Sequence, residues 1–207
     1  MSNFHKIAQG IDASAQSAAA SLPTAFWVDD FLIDPVATRL DAIGAEFIDW
    51  EGPDGQVYKR VCLKEVPGLR EGLERIFGGV EILAQGYRLN YAGEPPNQSI
   101  HADIGWGDWA AVLCLTNGPG GTALWRHRET GAEAIHSGQH DLLARLQADF
   151  VNADAWELRS LSPMAFNRCA IYDSRLFHSR WPFEAFGSTP EDGRLVAVAF
   201  FNAKVRP

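Results

Sequence analysis

Cysteine is scarce in this chain. Its 207 residues hold three, Cys62, Cys114 and Cys169, an odd number that cannot pair completely within one molecule. Cys114 and Cys169 lie in apolar, strand-like runs where a buried thiol is ordinary, so a reducing, cytoplasmic setting is expected. No apolar run approaches the ~18 residues of a membrane-spanning helix. Met1–Leu22, rich in Ala, Ser and Gln, lacks the basic start and continuous apolar stretch of a secretory signal. Residues 1–22 are expected to form a mobile N-terminal segment and residues 23–207 a single domain, because no linker divides them. Internal repeats are missing, as are low-complexity tracts beyond the N-terminus. Basic side chains are outnumbered, 18 Lys and Arg against 26 Asp and Glu, for a net charge of −8. With no Lys/Arg-rich stretch to override it, that field repels a phosphate backbone and disfavours nucleic acid as a partner.

The chain is 46% hydrophobic and 21% charged, a globular composition. Asp34-Pro35 reads as an N-cap and first helical residue. Val36, Leu40, Ile43 and Phe47 follow at helical spacing and predict an apolar face packed on a flat surface. A second helix is predicted over Gly68–Phe77, with Leu69, Leu73 and Ile76 in phase. Beyond Gly79 the pattern changes to short strand candidates punctuated by Gly, Pro and Asn: Ala84–Tyr91, Ser99–Asp103, Trp109–Thr116, Thr122–His127, Met164–Tyr172 and Arg194–Asn202. Such punctuation predicts a sandwich or barrel. One helix interrupts it, at about Gln139–Phe150.

The most informative local pattern is Ile100-His101-Ala102-Asp103. If this is a strand, His101 and Asp103 project to the same side and present two donors to one metal ion. His178, after the apolar run Ile171–Phe177, is the candidate third donor. Two histidines and a carboxylate on one face suit non-haem Fe(II) and leave neighbouring coordination positions open. His-x-Asp is short enough to arise by chance, and His101 could equally hydrogen-bond in a loop. Its neighbours shift the balance. Arg194 opens the apolar strand Leu195–Phe201, and if it points inward it shares a face with Val196, Val198 and Phe200. A buried guanidinium needs an anion to offset its desolvation, and its planar fork matches a carboxylate.

These residues resemble the Fe(II)- and 2-oxoglutarate-dependent dioxygenases, in the prolyl-hydroxylase-like branch of the double-stranded β-helix superfamily. The resemblance spans roughly Ala84–Asn202. It implies a mainly β fold with flanking helices (α+β) around a jelly-roll, cupin-like core. His101, Asp103 and His178 would hold the metal, and Arg194 the far carboxylate of 2-oxoglutarate. Tyr91-Ala-Gly93 is similar to the stretch whose tyrosine borders the cosubstrate, and Gly120–Trp125 to the family's Gly-Gly turn entering a strand. The stretch between His178 and Arg194 is longer than the prolyl-hydroxylase pattern, so Arg180 competes for the anion site.

The implied reaction consumes O2 and 2-oxoglutarate, releases succinate and carbon dioxide, and hydroxylates a small molecule, an amino acid, or a peptide or protein residue. Related halogenases carry a small residue at the carboxylate position, so Asp103 favours hydroxylation. Trp106, Trp109 and Trp125 are candidate substrate-wall residues, although each could instead simply cover the barrel. Two other functions stay open: a non-catalytic, metal-binding β-barrel, and oxidation of a nucleobase or nucleotide.

Overall fold

The computed structural model describes residues 24–52, 55–94, 100–136 and 138–204; the expected N-terminal segment lies outside them. In chain order the elements are β1 (Ala25–Val28), α1 (Pro35–Ile43), β2 (Ile48–Glu51), β3 (Val57–Cys62), α2 (Leu69–Phe77), β4 (Val80–Asn90), β5 (Trp109–Cys114), β6 (Gly121–His127), α3 (His140–Gln147), β7 (Trp156–Pro163), β8 (Cys169–Asp173), β9 (His178–Trp181) and β10 (Arg194–Ala203). The strands form a seven-stranded sheet in the order β1-β8-β5-β10-β4-β3-β2 and a three-stranded sheet in the order β7-β6-β9. Every pairing is antiparallel. This is a jelly-roll core with flanking helices.

Alternation along the strands divides the molecule into layers. Leu195, Ala197, Ala199 and Phe201 of β10 pack, with Ala111, Leu113 and Ile171, against Leu69, Leu73 and Phe77 of α2. The opposite side of the same strands carries Ala110, Val112, Tyr172 and Val196 and faces the interior. Behind the small sheet, Trp125, Trp156 and Phe177 pack with Leu146 of α3. β5 is buried along its whole length, which explains its unbroken apolar run. Gly120 leads into β6 at φ +79°, where a Cβ would meet the Trp181 carbonyl oxygen at 1.8 Å, so the close approach of two chains requires glycine.

α1 differs from its helical-wheel expectation. Asp34 does cap it, accepting from the Ala37 N–H at 3.0 Å. Val36 and Leu40, however, are exposed, and the buried positions are Thr38 and Ala42. The Thr38 hydroxyl donates to the Pro67 carbonyl at 3.1 Å, so a small, hydrogen-bonded face allows the helix to sit close. Phe47 lies beyond the helix, which ends at the Gly44 cap. Of the candidate strand Ser99–Asp103, Ser99 lies outside the described residues and the rest contributes a single bridge at His101, while Met164–Tyr172 shortens to β8 because Asn167 turns the chain at φ +63°. Strands β1, β2, β3, β7 and β9 are additional to the sequence expectation. Among the described residues, no helix is long and apolar enough to cross a membrane.

Candidate metal centre and its cationic cavity

His178 begins β9, whose partner β6 holds it opposite Leu124. On its other side His178 pairs with His101, far away in sequence. The His101 N–H donates to the His178 carbonyl at 3.0 Å, and the His178 N–H returns the bond at 2.8 Å. Asp103 is clipped to the loop before β9, its N–H donating to the Ser174 carbonyl at 2.8 Å. A reciprocal backbone pair, not a continuous strand, therefore aligns the two imidazoles, whose ring centroids are 4.4 Å apart.

Donor atoms of His101, Asp103 and His178 lie within 4.8 Å of one another. Nε2 of His178 is 3.1 Å from one Asp103 oxygen, and Nε2 of His101 is 3.5 Å from the other. The His178 Nδ1–H donates to the Leu176 carbonyl at 3.0 Å, which fixes the ring and aims Nε2 at Asp103. Burial raises the Asp103 pKa, but the His178 charge and hydrogen bonds from both rings outweigh it and hold the carboxyl well below the usual range. Burial likewise opposes charge on His178, and Asp103 overcomes it, raising the imidazole. The three side chains thus make a buried place that favours positive charge. Among the described residues, no other group of three His, Cys, Asp or Glu side chains converges in this way.

The triad opens into a cavity of about 200 Å³. Tyr172 from β8 lies beside His178, with ring centroids 4.5 Å apart, and burial pushes its phenol well up, so it stays a proton donor. Arg194 is buried at the start of β10 and lines the cavity, as do Arg180 of β9 and Arg88 of β4. Nη1 of Arg194 donates to Asn90 Oδ1 at 3.4 Å, directly across the β4–β10 pair. Burial, then the neighbouring charges of Arg180 and Arg88, pushes Arg194 down to about 10. Burial and the Arg88 charge do the same to Arg180. No carboxylate among the described residues forms a salt bridge with any of the three arginines.

The remaining sequence candidates separate. Trp106 lines the cavity and packs on Phe200 at 5.1 Å between centroids. Trp109 does not, because β5 turns it towards α2, where it packs on Phe77 at 5.2 Å. Trp125 lies behind the small sheet, its Nε1–H donating to Ser179 Oγ at 2.9 Å and its ring 5.2 Å from Trp181. Tyr91 lies outside the cavity wall, under the Arg60 guanidinium at 4.3 Å. Sequence reasoning missed Trp50, Tyr58, Arg88 and Tyr172, all of which line the cavity. Only Tyr172 carried a signal, as the polar end of the apolar run Cys169–Ile171; Arg88 sits among Gln85 and Asn90 and did not stand out.

A family model described as a family of unknown function, DUF6445, matches residues 100–201. No curated protein matches the chain in sequence. In fold, the chain is similar to SnoN, a non-heme alpha ketoglutarate dependent epimerase from nogalamycin biosynthesis, at a TM-score of 0.55 and 14% identity over 89% of this chain and 79% of that one. It is also similar to AviO1 from Streptomyces viridochromogenes Tue57, at a TM-score of 0.52 and 13% identity over 89% of this chain and 92% of that one. SnoK, a non-heme alpha ketoglutarate dependent carbocyclase from the same biosynthesis as SnoN, gives 0.51 and 16% over 87% and 80%. At these identities the likeness is one of fold, which the chain shares with SnoN and SnoK, both named as alpha ketoglutarate dependent, and with AviO1. Nothing in it singles out the prolyl-hydroxylase-like branch expected from the sequence.

Proposed function

We propose that the protein is an Fe(II)- and 2-oxoglutarate-dependent oxygenase that oxidises a small organic substrate by hydroxylation. One observation carries this reading: a two-histidine, one-carboxylate donor set opens into a cavity lined by arginines that lack a carboxylate partner among the described residues. The donors fit the metal. Two imidazoles and one carboxylate suit Fe(II), and a cation would replace the proton that the cluster otherwise favours between Asp103 and His178. His101, Asp103 and His178 would hold the iron, leaving its other positions towards the cavity. When bound, iron with 2-oxoglutarate and O2 supplies the oxidising power, with succinate and carbon dioxide as co-products.

The rest belongs to the chain. Arg194 offers a buried, bidentate partner for the distal carboxylate of the cosubstrate, and Arg180 adds charge beside it. Tyr172, between the triad and Arg194, is placed to donate its phenolic proton to a cosubstrate oxygen. Burial of Arg194 and Tyr172 keeps water from competing for those bonds, while Arg180 is half-buried. SnoN and SnoK are named as an epimerase and a carbocyclase. On such a scaffold the fate of the substrate depends on which of its bonds is brought to the metal, and Asp103 as the third donor favours hydroxylation over halogenation here. A purely metal-storing barrel has no use for three inward arginines.

Anaerobic titration of the Fe(II)-loaded protein with 2-oxoglutarate tests the reading. A saturable visible charge-transfer band is expected, absent from His178→Ala. Arg194→Met should weaken 2-oxoglutarate binding tenfold or more while iron is retained, the loss of a hydrogen bond between charged partners. Iron occupancy without any band would overturn the proposal.

A further inference from the structure

On this reading 2-oxoglutarate brings two carboxylates, one for the metal centre and one for Arg194, which leaves cationic charge in the cavity unanswered. Arg180 donates to the Phe183 carbonyl and so has a partner. The Arg88 guanidinium has no hydrogen-bond partner among the described residues, and its Nε is wholly buried. A buried N–H without an acceptor costs about 1–3 kcal/mol, more when the group is charged. Among the described residues no acceptor repays that cost: the guanidinium stacks over the Tyr58 ring at 5.0 Å, and the nearest carboxylate whose field it feels, Asp103, is engaged by the two histidines. Register places Arg88 between Val196 of β10 and Val61 of β3, on the cavity side of the large sheet and within the field of Asp103. It therefore stands near the metal centre with its donors uncommitted.

An aromatic wall adjoins it. Trp50 packs on Tyr58 at 5.7 Å and on Trp106 at 6.4 Å, and Trp106 continues to Phe200 at 5.1 Å. All four rings line the same cavity. A cation with free donors beside flat apolar faces has the features of a site for an amphiphilic anion: a charged head for the fork, and a body for the rings.

We propose that Arg88 is the head-group residue of the primary substrate's subsite, and that the substrate is a small carboxylate with a planar or otherwise apolar body lying against Trp50 and Trp106. The inference rests on the cosubstrate reading above, since it is the occupation of Arg194 by 2-oxoglutarate that leaves Arg88 for a second anion. The cavity of about 200 Å³ is shared with the cosubstrate, which limits the second molecule to a modest size. A neutral substrate offers Arg88 at most an uncharged acceptor, so the site discriminates against it by leaving the guanidinium charge unneutralised.

Calorimetric titration of the protein saturated with Mn(II) and 2-oxoglutarate, using 3-phenylpropionate and its uncharged counterpart 3-phenylpropionamide, tests this. The carboxylate is expected to bind at least tenfold more tightly, a difference of about 1.4 kcal/mol. Arg88→Met should abolish that preference while 2-oxoglutarate binds as in the wild type, and Arg88→Lys should keep part of it. Because the Arg88 guanidinium makes no hydrogen bond among the described residues, Arg88→Met is expected to melt at or above the wild-type temperature; if it unfolds instead, the lysine variant and the wild-type acid/amide comparison decide. Equal binding of acid and amide, no saturation by the acid at millimolar concentration, or a preference that survives Arg88→Met would each overturn the proposal. If Arg88→Met loses 2-oxoglutarate instead, Arg88 belongs to the cosubstrate clamp, and the proposal fails while the oxygenase reading stands. Failure of the wild type to bind 2-oxoglutarate would sink that reading first.

Discussion

Trp106 and Trp109 belong to one short glycine-rich segment yet serve opposite sides of the large sheet. Trp106 stands at the cavity between Trp50 and Phe200. Trp109 is the first residue of β5 and points the other way, between Phe26 and Phe77 in the helix-facing core. Truncating it should therefore act on stability alone. Trp109→Ala is expected to cost about 3–5 kcal/mol in urea denaturation while Fe(II) and 2-oxoglutarate binding persist. Trp106→Ala should do the reverse, leaving the denaturation midpoint nearly unchanged and weakening 3-phenylpropionate. The residue types of the donor set were legible in the sequence: His101, Asp103 and His178 stand in its two most suggestive patterns. The aromatic wall was not, because Trp50 and Tyr58 come from short, mixed-polarity segments whose alternation carries little apolar signal.

At the scale of elements, α1 is tied to the large sheet by a polar contact. Asp41 accepts from the Tyr87 hydroxyl and from Lys64 Nζ, each at 2.7 Å. The Lys64 hydrogen bond is the main reason its carboxyl is held below the usual value. A depressed carboxylate contributes stability above its unfolded pKa, about 3.9, and loses it as the pH falls through the folded value. Asp41→Asn should thus cost about 1 kcal/mol at pH 7, and the gap from wild type should narrow at pH 3; a gap that stays constant between the two pH values would show that the ionised form does not matter. β9 shows the complementary case. It is only four residues long, yet pairing on both sides puts His178 between Leu124 and His101. Such a strand is nearly silent in sequence, since its conformation comes from its partners rather than from its own propensity.

Over the whole molecule, charge is distributed against its own average. The chain carries −8, while three arginines converge inside one cavity. Those arginines are walled in by two sheets, out of reach of a duplex backbone, and the acidic exterior repels one. Electrophoretic mobility of a duplex DNA at 0.15 M salt should therefore be unchanged by the protein; a retarded band would reopen the nucleobase alternative.

By itself the sequence determined the long buried elements and the donor types. β5, β10 and α2 are visible as apolar runs or as a helical stripe, since burial demands apolar side chains whatever the partner. Only the tertiary structure decided which side of each strand faces the cavity. A strand buried on both faces is apolar on both, so alternation alone does not tell that Trp109 of β5 faces α2 while Tyr172 of β8 faces the cavity. Register with strands distant in the chain makes that choice, and the same register brings Arg88, Arg180 and Arg194 around one space.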